Sequence, residues 1–247
     1  MTQVSPHGLH HVTAIATDPQ SNVDFYTERS GCAWSSRRST SMRQTPITCT
    51  TAMRRAARRA LLTFFPWPGV PQGRQGAGMT TATAFSVPEP SLGWWHERFK
   101  AVGDRLPTPP RTRDEEEVLT FRDPDGMVID LVASVGDHRS GWDGVADIPA
   151  EHAVRGLHAI TLSERQLDPS ATMLTELLGM SLTGEEGDRS RFGMAGGSSG
   201  ALVDVFAGVR DRGWQAGGTV HHVAFRAPDL GDPVAVAAGA ASPWRVR

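Results

Sequence analysis

The chain has 247 residues, 39% of them hydrophobic, with 25 basic against 27 acidic residues and a formal net charge of −2. That length can bury one large core or two small ones, and so even a charge balance argues against a polyanion partner such as nucleic acid. No apolar run reaches the roughly 18 residues of a membrane span, the N-terminus lacks the basic and apolar regions of a signal peptide, and two cysteines make no disulfide framework, so the expectation is a cytoplasmic protein without a membrane segment.

In chain order, "GLHHVTAIA" from Gly8 alternates as a half-buried strand. "DPQSNVDFYTERSG" follows as a helix, with Asp18 as cap, a proline after it and Gly31 as its stop. Residues 32–60 break the pattern. They hold seven arginines, both cysteines, no acidic residue and no Gly, Val, Leu, Phe or Tyr. Order resumes with the apolar run "ALLTFFPW" and the loop "GVPQGRQGAG". "TTATAFSVP" at Thr80 is a weaker copy of the first strand, and "PEPSLGWWHERFKAVG" reads as a helix ending at Gly103. "FRDPDGMVIDLVA" is a hairpin turning at Asp125-Gly126. After the linker "GDHRSGWDGVADIPAEH", the strand recurs as "GLHAITLSE" at Gly156. A helix with Asp168 as cap and Gly179 as stop comes next, then the short strand "GALVDVFAG". The last copy is "TVHHVAFRA" at Thr219. A unit of strand, helix and further strands therefore starts near residues 8, 80, 156 and 219. The expected division is 1–135 as an N-terminal pair of units, with 32–60 aberrant; 136–155 as linker; and 156–247 as one full unit plus the first strand of a truncated one.

His10-His11 and His221-His222 are doublets at equivalent places in two repeats. Successive strand side chains point to opposite faces, so one histidine of each pair is expected in a shared cavity. Imidazole is the commonest protein metal ligand, and a doublet kept in two divergent repeats points to a metal. In the third repeat Ala159 replaces the second histidine, beside His158. Asp130 and Asp204 lie late in strands, either as carboxylate ligands or as edge carboxylates facing water. His7, His96, His138 and His152 carry no expected role.

These segments, with "RGLHAITLSER", "EEGDRSRFGM" and "GGTVHHVAFRAPD", resemble the ring-cleaving dioxygenases of the vicinal oxygen chelate, or glyoxalase–bleomycin resistance, superfamily, and within it the enzymes that open hydroquinone-type rings. The resemblance runs from about residue 7 to 229 with one gap. It implies an α+β fold of repeated βαβββ modules and a non-haem Fe(II) or Mn(II) site. Carried over, His11 and His222 are metal ligands, and His10, His221 and Thr13 line the pocket. The implied partners are a small hydroquinone- or catechol-type aromatic and O₂, with homo-oligomerisation open. Such a two-histidine, one-carboxylate set leaves positions for ring and oxygen.

Two departures stand against that pattern. The family's late glutamate is missing, and the Ala-, Gly- and Pro-rich tail lacks the expected helix. Possible codons for the eight residues from Cys32, TGC GCC TGG TCA AGA AGA CGG TCA, read one base earlier as CTG CGC CTG GTC AAG AAG ACG GTC, which encode LRLVKKTV, the pattern of a module's second strand. Residues 32–60 and those after about 230 are thus expected to be frame-shifted, the first module disrupted and the fourth truncated, and activity impaired. The alternatives are a non-catalytic ligand-binding remnant and a glyoxalase- or bleomycin-resistance-like protein. For the arginine-rich stretch alone they are an internal transit-like segment, a nucleic-acid patch or low-complexity chain.

Overall fold

A computed structural model describes residues 6–29, 33–36, 47–50, 61–102, 107–141 and 147–226. The first unit contains β1 (Leu9–Ala16), α1 (Pro19–Asp24) continued by a wider π turn (Phe25–Arg29), β2 (Ala33–Ser36), β3 (Ile47–Thr50) and β4 (Leu61–Pro66). The second contains β5 (Met79–Val87), α2 (Leu92–Val102), β6 (Arg111–Arg113), β7 (Glu116–Arg122) and β8 (Val128–Ala133). The third contains β9 (Gly156–Ser163), α3 (Asp168–Thr172) with a π turn (Met173–Leu177), β10 (Ser181–Glu186), β11 (Arg189–Gly193) and β12 (Leu202–Phe206). β13 (Val220–Phe225) is the last described element.

In each full unit the first and last strands pair in parallel through the intervening helix, as β1·β4, β5·β8 and β9·β12. Antiparallel pairs then join the units. β5·β9 builds an eight-stranded sheet in the order β10-β11-β12-β9-β5-β8-β7-β6, and β1·β13 builds a five-stranded one in the order β13-β1-β4-β3-β2. The eight-stranded sheet is thus built from the consecutive second and third units, while the five-stranded sheet joins the first unit to β13 near the other end of the described chain. The α+β architecture of βαβββ modules matches the expectation.

The helices bury their apolar stripes on the sheets. In α2, Leu92, Trp95 and Phe99 recur at helical spacing and are buried, and the Trp95 indole N–H donates to the His152 carbonyl at 2.9 Å. Phe25 and Tyr26 of the π turn pack on Phe121 and Phe64. Asp18 caps α1 as expected, accepting from the Ser21 N–H at 2.7 Å. Asp168 does not cap α3: it is the first helical residue, and Leu167 before it offers no side-chain acceptor. Gly179 follows the π turn at φ +63°, whereas Gly31 and Gly103 lie outside the described residues.

The expectation for 32–60 needs correction. Part of this stretch does form strands. β2 pairs antiparallel with β3 (Ala33↔Thr50 to Ser36↔Ile47), and β3 with β4 (Ile47↔Phe64 to Thr50↔Leu61). Main-chain hydrogen bonds set strand pairing and ask little of side-chain type when β4 offers an edge. Residues 37–46, 51–60 and 227–247 lie outside the described residues.

β13 is held by a clamp of loops. The segment before β5 bridges the segment before β13 at Gln72↔Gly217, Arg74↔Trp214 and Ala77↔Arg212. Gln72 donates to the carbonyls of Asp125 and Gly217, Thr17 donates to the Asp125 carboxylate, and Gly218 N–H donates to the Ile15 carbonyl at 2.9 Å. Gly218 itself has φ +74°, and a β-carbon there would run into the Asp125 carbonyl. The left-handed backbone alone costs a non-glycine residue about 1–2 kcal/mol. Gly218→Ala is therefore expected to lower stability by at least that amount in urea unfolding; a change near zero would mean that the clamp is not under strain.

Candidate functional site

On β4, Leu62 and Phe64 are buried in the core, while Thr63 and Phe65 alternate with them on the other face, and Trp67 follows just past the strand. β1 and β13 lie beside this face. Their register contains two bulges. Leu9 pairs with Phe225 and His11 with Ala224, so His10 is the extra residue on β1; Thr13 pairs with His222 and Ala14 with Val220, so His221 is the extra residue on β13. The expectation that only one histidine of each doublet shares a cavity is therefore corrected. Each bulge re-aims the first histidine, and all four rings are half-buried together.

They form a chain. His10 Nδ1 lies 2.8 Å from His11 Nδ1, His11 Nε2 lies 3.0 Å from His222 Nε2, and His222 Nδ1 lies 2.9 Å from His221 Nδ1. The Thr13 hydroxyl is 3.1 Å from His222 Nε2 and 2.5 Å from the Thr63 hydroxyl. The Phe65 ring stands edge-on to His221 at 5.1 Å and stacks with Trp67 at 5.9 Å, making an aromatic wall. All five expected residues, His10, His11, Thr13, His221 and His222, come together. Thr63, Phe65 and Trp67 were not anticipated, although the period of two in "LLTFFPW" carried the signal.

Electrostatics keep the rings neutral. Burial, then the charge of His10, lowers the His11 pKa to about 4. Burial, then His11 and His221, lowers that of His222 to about 4. His221 is lowered by burial, and His10 by burial and then Arg226. Neutral imidazoles offer lone pairs to a cation. Two nitrogens bound to one ion at about 2.0–2.1 Å lie about 3 Å apart, which the observed Nε2 separation of 3.0 Å fits. With both Nε2 atoms so used, each Nδ1–H is free to donate to the outer histidine and orient the ring. Among the described residues no three His, Cys, Asp or Glu side chains cluster as a metal site.

The corresponding place on the eight-stranded sheet is built differently. Its bulges fall at Thr81 and His158, which puts Ala82 and Ala159 where the first sheet has His11 and His222. His158 is buried and sits 3.0 Å from the Ser199 hydroxyl and 3.1 Å from Glu116. Asp130 and Asp204 are not edge carboxylates facing water. Both are buried, paired with Arg113 at 2.8 Å and with Arg191 and Arg189 at 2.7 and 2.9 Å.

A pH dependence follows. The unfolded chain protonates its histidines near 6.5, the folded His11 and His222 only near 4. Between those values the unfolded state holds more protons, so their contribution to stability falls as pH drops through that window and is complete above it. Buried Asp123, raised to about 7 by burial and by Asp125, works in the opposite sense. The pair is therefore isolated by difference: His11→Gln/His222→Gln is expected to lose less stability than the parent between pH 6.5 and 4 in denaturant titrations. Parallel curves would show that the two rings titrate normally.

Residues 8–131 match the family model described as Glyoxalase/Bleomycin resistance protein/Dioxygenase superfamily. The chain is 31% identical over 229 residues to "Putative ring-cleaving dioxygenase MhqO" of Bacillus subtilis, spanning 90% of this chain and 70% of that protein. It is 28% identical over 165 residues to the chlorohydroquinone/hydroquinone 1,2-dioxygenase of Sphingobium indicum, spanning 64% and 50%. A crystal structure described as a "putative dioxygenase" from Bacillus subtilis superposes with a TM-score of 0.81 at 28% identity, over 94% of this chain and 73% of that one. These relatives support a dioxygenase-type function. The shared βαβββ modules and the matched sequence place the chain in the Glyoxalase/Bleomycin resistance protein/Dioxygenase superfamily.

Proposed function

We propose that the β1–β13 site is the metal centre of a dioxygenase of the type that opens hydroquinone- or catechol-type rings, with His11 and His222 as ligands to Fe(II) or Mn(II) and with activity impaired in this chain. The observation that carries this reading is the 3.0 Å separation of their Nε2 atoms on adjacent strands. His10 and His221 hold the two ligand rings through their Nδ1 atoms, and Thr13 presents its hydroxyl beside His222. The Phe65–Trp67 wall offers a flat apolar face for a ring. A bound metal would supply Lewis acidity toward the ring hydroxyls and an attachment point for O₂. Similarity to a protein named for hydroquinone cleavage supports the substrate class.

The second reading is a ligand-binding protein without turnover. It is favoured by the want of a third, anionic donor among the described residues. Two neutral imidazoles do not offset a divalent charge, and loss of even an outer partner costs about 10–100-fold in affinity or activity. The full chain is therefore expected to bind Fe(II) weakly in anaerobic equilibrium dialysis, and His11→Ala and His222→Ala each to weaken that binding at least about tenfold. Oxygen uptake with methylhydroquinone or chlorohydroquinone is expected to stay at background. Sustained uptake would refute the impairment, and iron retention indifferent to both substitutions would refute the ligand assignment.

A further inference from the structure

The eight-stranded sheet borders an open cavity of about 700 Å³, the size of a small-molecule site. Unlike an ordinary apolar pocket it is lined by charge: Arg111, Arg113, Arg122 and Arg189 against Asp130 and Glu186. We propose that this cavity is a second ligand site, separate from the histidine centre, for a small di-anion bearing carboxylate or phosphate groups.

Ala82, which stands at the position of His11 in the other sheet, lies in its wall. The carboxylates around it are already engaged. Asp130 accepts from Arg113 at 2.8 Å and from the Thr120 hydroxyl at 2.6 Å. Glu186 accepts from the Asp114 N–H at 2.9 Å. Beneath them, Asp204 takes Arg189 and Arg191, and Glu116 takes Arg191 and His158. The Asp114 carboxylate lies 3.5 Å from Arg191 and 3.9 Å from Arg189.

The cations are not all answered in return. The Arg111 side chain makes no hydrogen bond or ion pair with the described residues, while its backbone pairs with Val118. Among the described residues the Arg122 guanidinium donates only to the Gly126 carbonyl, at 2.8 Å. Arg113 Nε is buried with no acceptor. Arg189 is depressed from its ordinary basicity by burial first and then by Arg113, so these two guanidiniums repel one another across the floor. An oxyanion between them would supply the missing acceptor and relieve the repulsion, and the planar guanidinium fork suits carboxylate and phosphate alike. Arg111 and Arg122 would meet a second acidic group at the mouth.

The test is isothermal titration of the full chain with succinate, inorganic phosphate and neutral succinamide at low ionic strength, where exposed arginines are least screened. Saturable binding of succinate or phosphate, with none of succinamide, is expected; whichever anion binds tighter identifies the acid group. Arg111→Gln/Arg122→Gln, both outside the core, should weaken binding at least about tenfold, as should Arg113→Gln. His11→Ala/His222→Ala should leave it unchanged, which separates this site from the metal centre. The proposal is overturned if neither anion binds, if succinamide binds equally, if the arginine variants bind as the parent does, or if the histidine variant abolishes binding.

Discussion

Antiparallel pairing of β1 with β13 joins two histidines 211 positions apart in sequence. Everything proposed for the first sheet depends on it. The pairing alone would give a flat alternation with one histidine of each doublet turned away. The two bulges, at His10 and His221, gather four rings on one side and bring two Nε2 atoms to 3.0 Å. Burial then keeps the rings neutral, since a charged imidazole loses its hydration there. Geometry and charge thus act together: the strands set the separation of the donors, and the surrounding protein sets their protonation.

The pairing in turn depends on what anchors β13. The loop clamp around Gln72, Asp125 and Gly217-Gly218 ties the start of β13 to the first two units. On its other side Arg226 donates to the Leu9 carbonyl at 3.0 Å. Val220, Val223 and Phe225 are buried in the same core as Leu9 and Val12. A single strand of the fourth unit is therefore held by hydrogen bonds and apolar packing from elements outside that unit.

The two sheets show one backbone design carrying two chemistries. Both use antiparallel first strands with a bulge on each, and both place a late strand alongside in parallel. On the five-stranded sheet the register puts Thr63 opposite Thr13, while on the eight-stranded sheet the same relation puts Asp130 opposite Ala84. Histidines converge on a point in one case. In the other, alanines replace the two ligand histidines, and buried carboxylates pair with arginines from β6 and β11. Buried ion pairs are weak evidence for stability, because desolvation offsets their attraction.

Much of this was legible in the sequence because repeats preserve pattern. The strand and helix signals at residues 8, 80, 156 and 219 were local, set by alternation, prolines and glycines, so the modules and their order followed. The paired doublets marked the site, since chance does not favour the same uncommon residues at equivalent positions. Other features depended on register, which no local pattern encodes. A bulge shifts a side chain to the other face by one residue of backbone, so the meeting of His10 with His11 could not be read from alternation. Asp130 and Asp204 could be read only as carboxylate ligands or edge carboxylates, because register brings them their arginine partners from other strands. The strands β2 and β3 were missed because main-chain pairing can persist where side-chain pattern does not. The sequence by itself determined the module, its repetition and the residue types available to a site. Only the tertiary structure decided which of them meet, because strand partners and bulges are settled by the whole sheet and its packing, and donor distances and proton affinities follow from those.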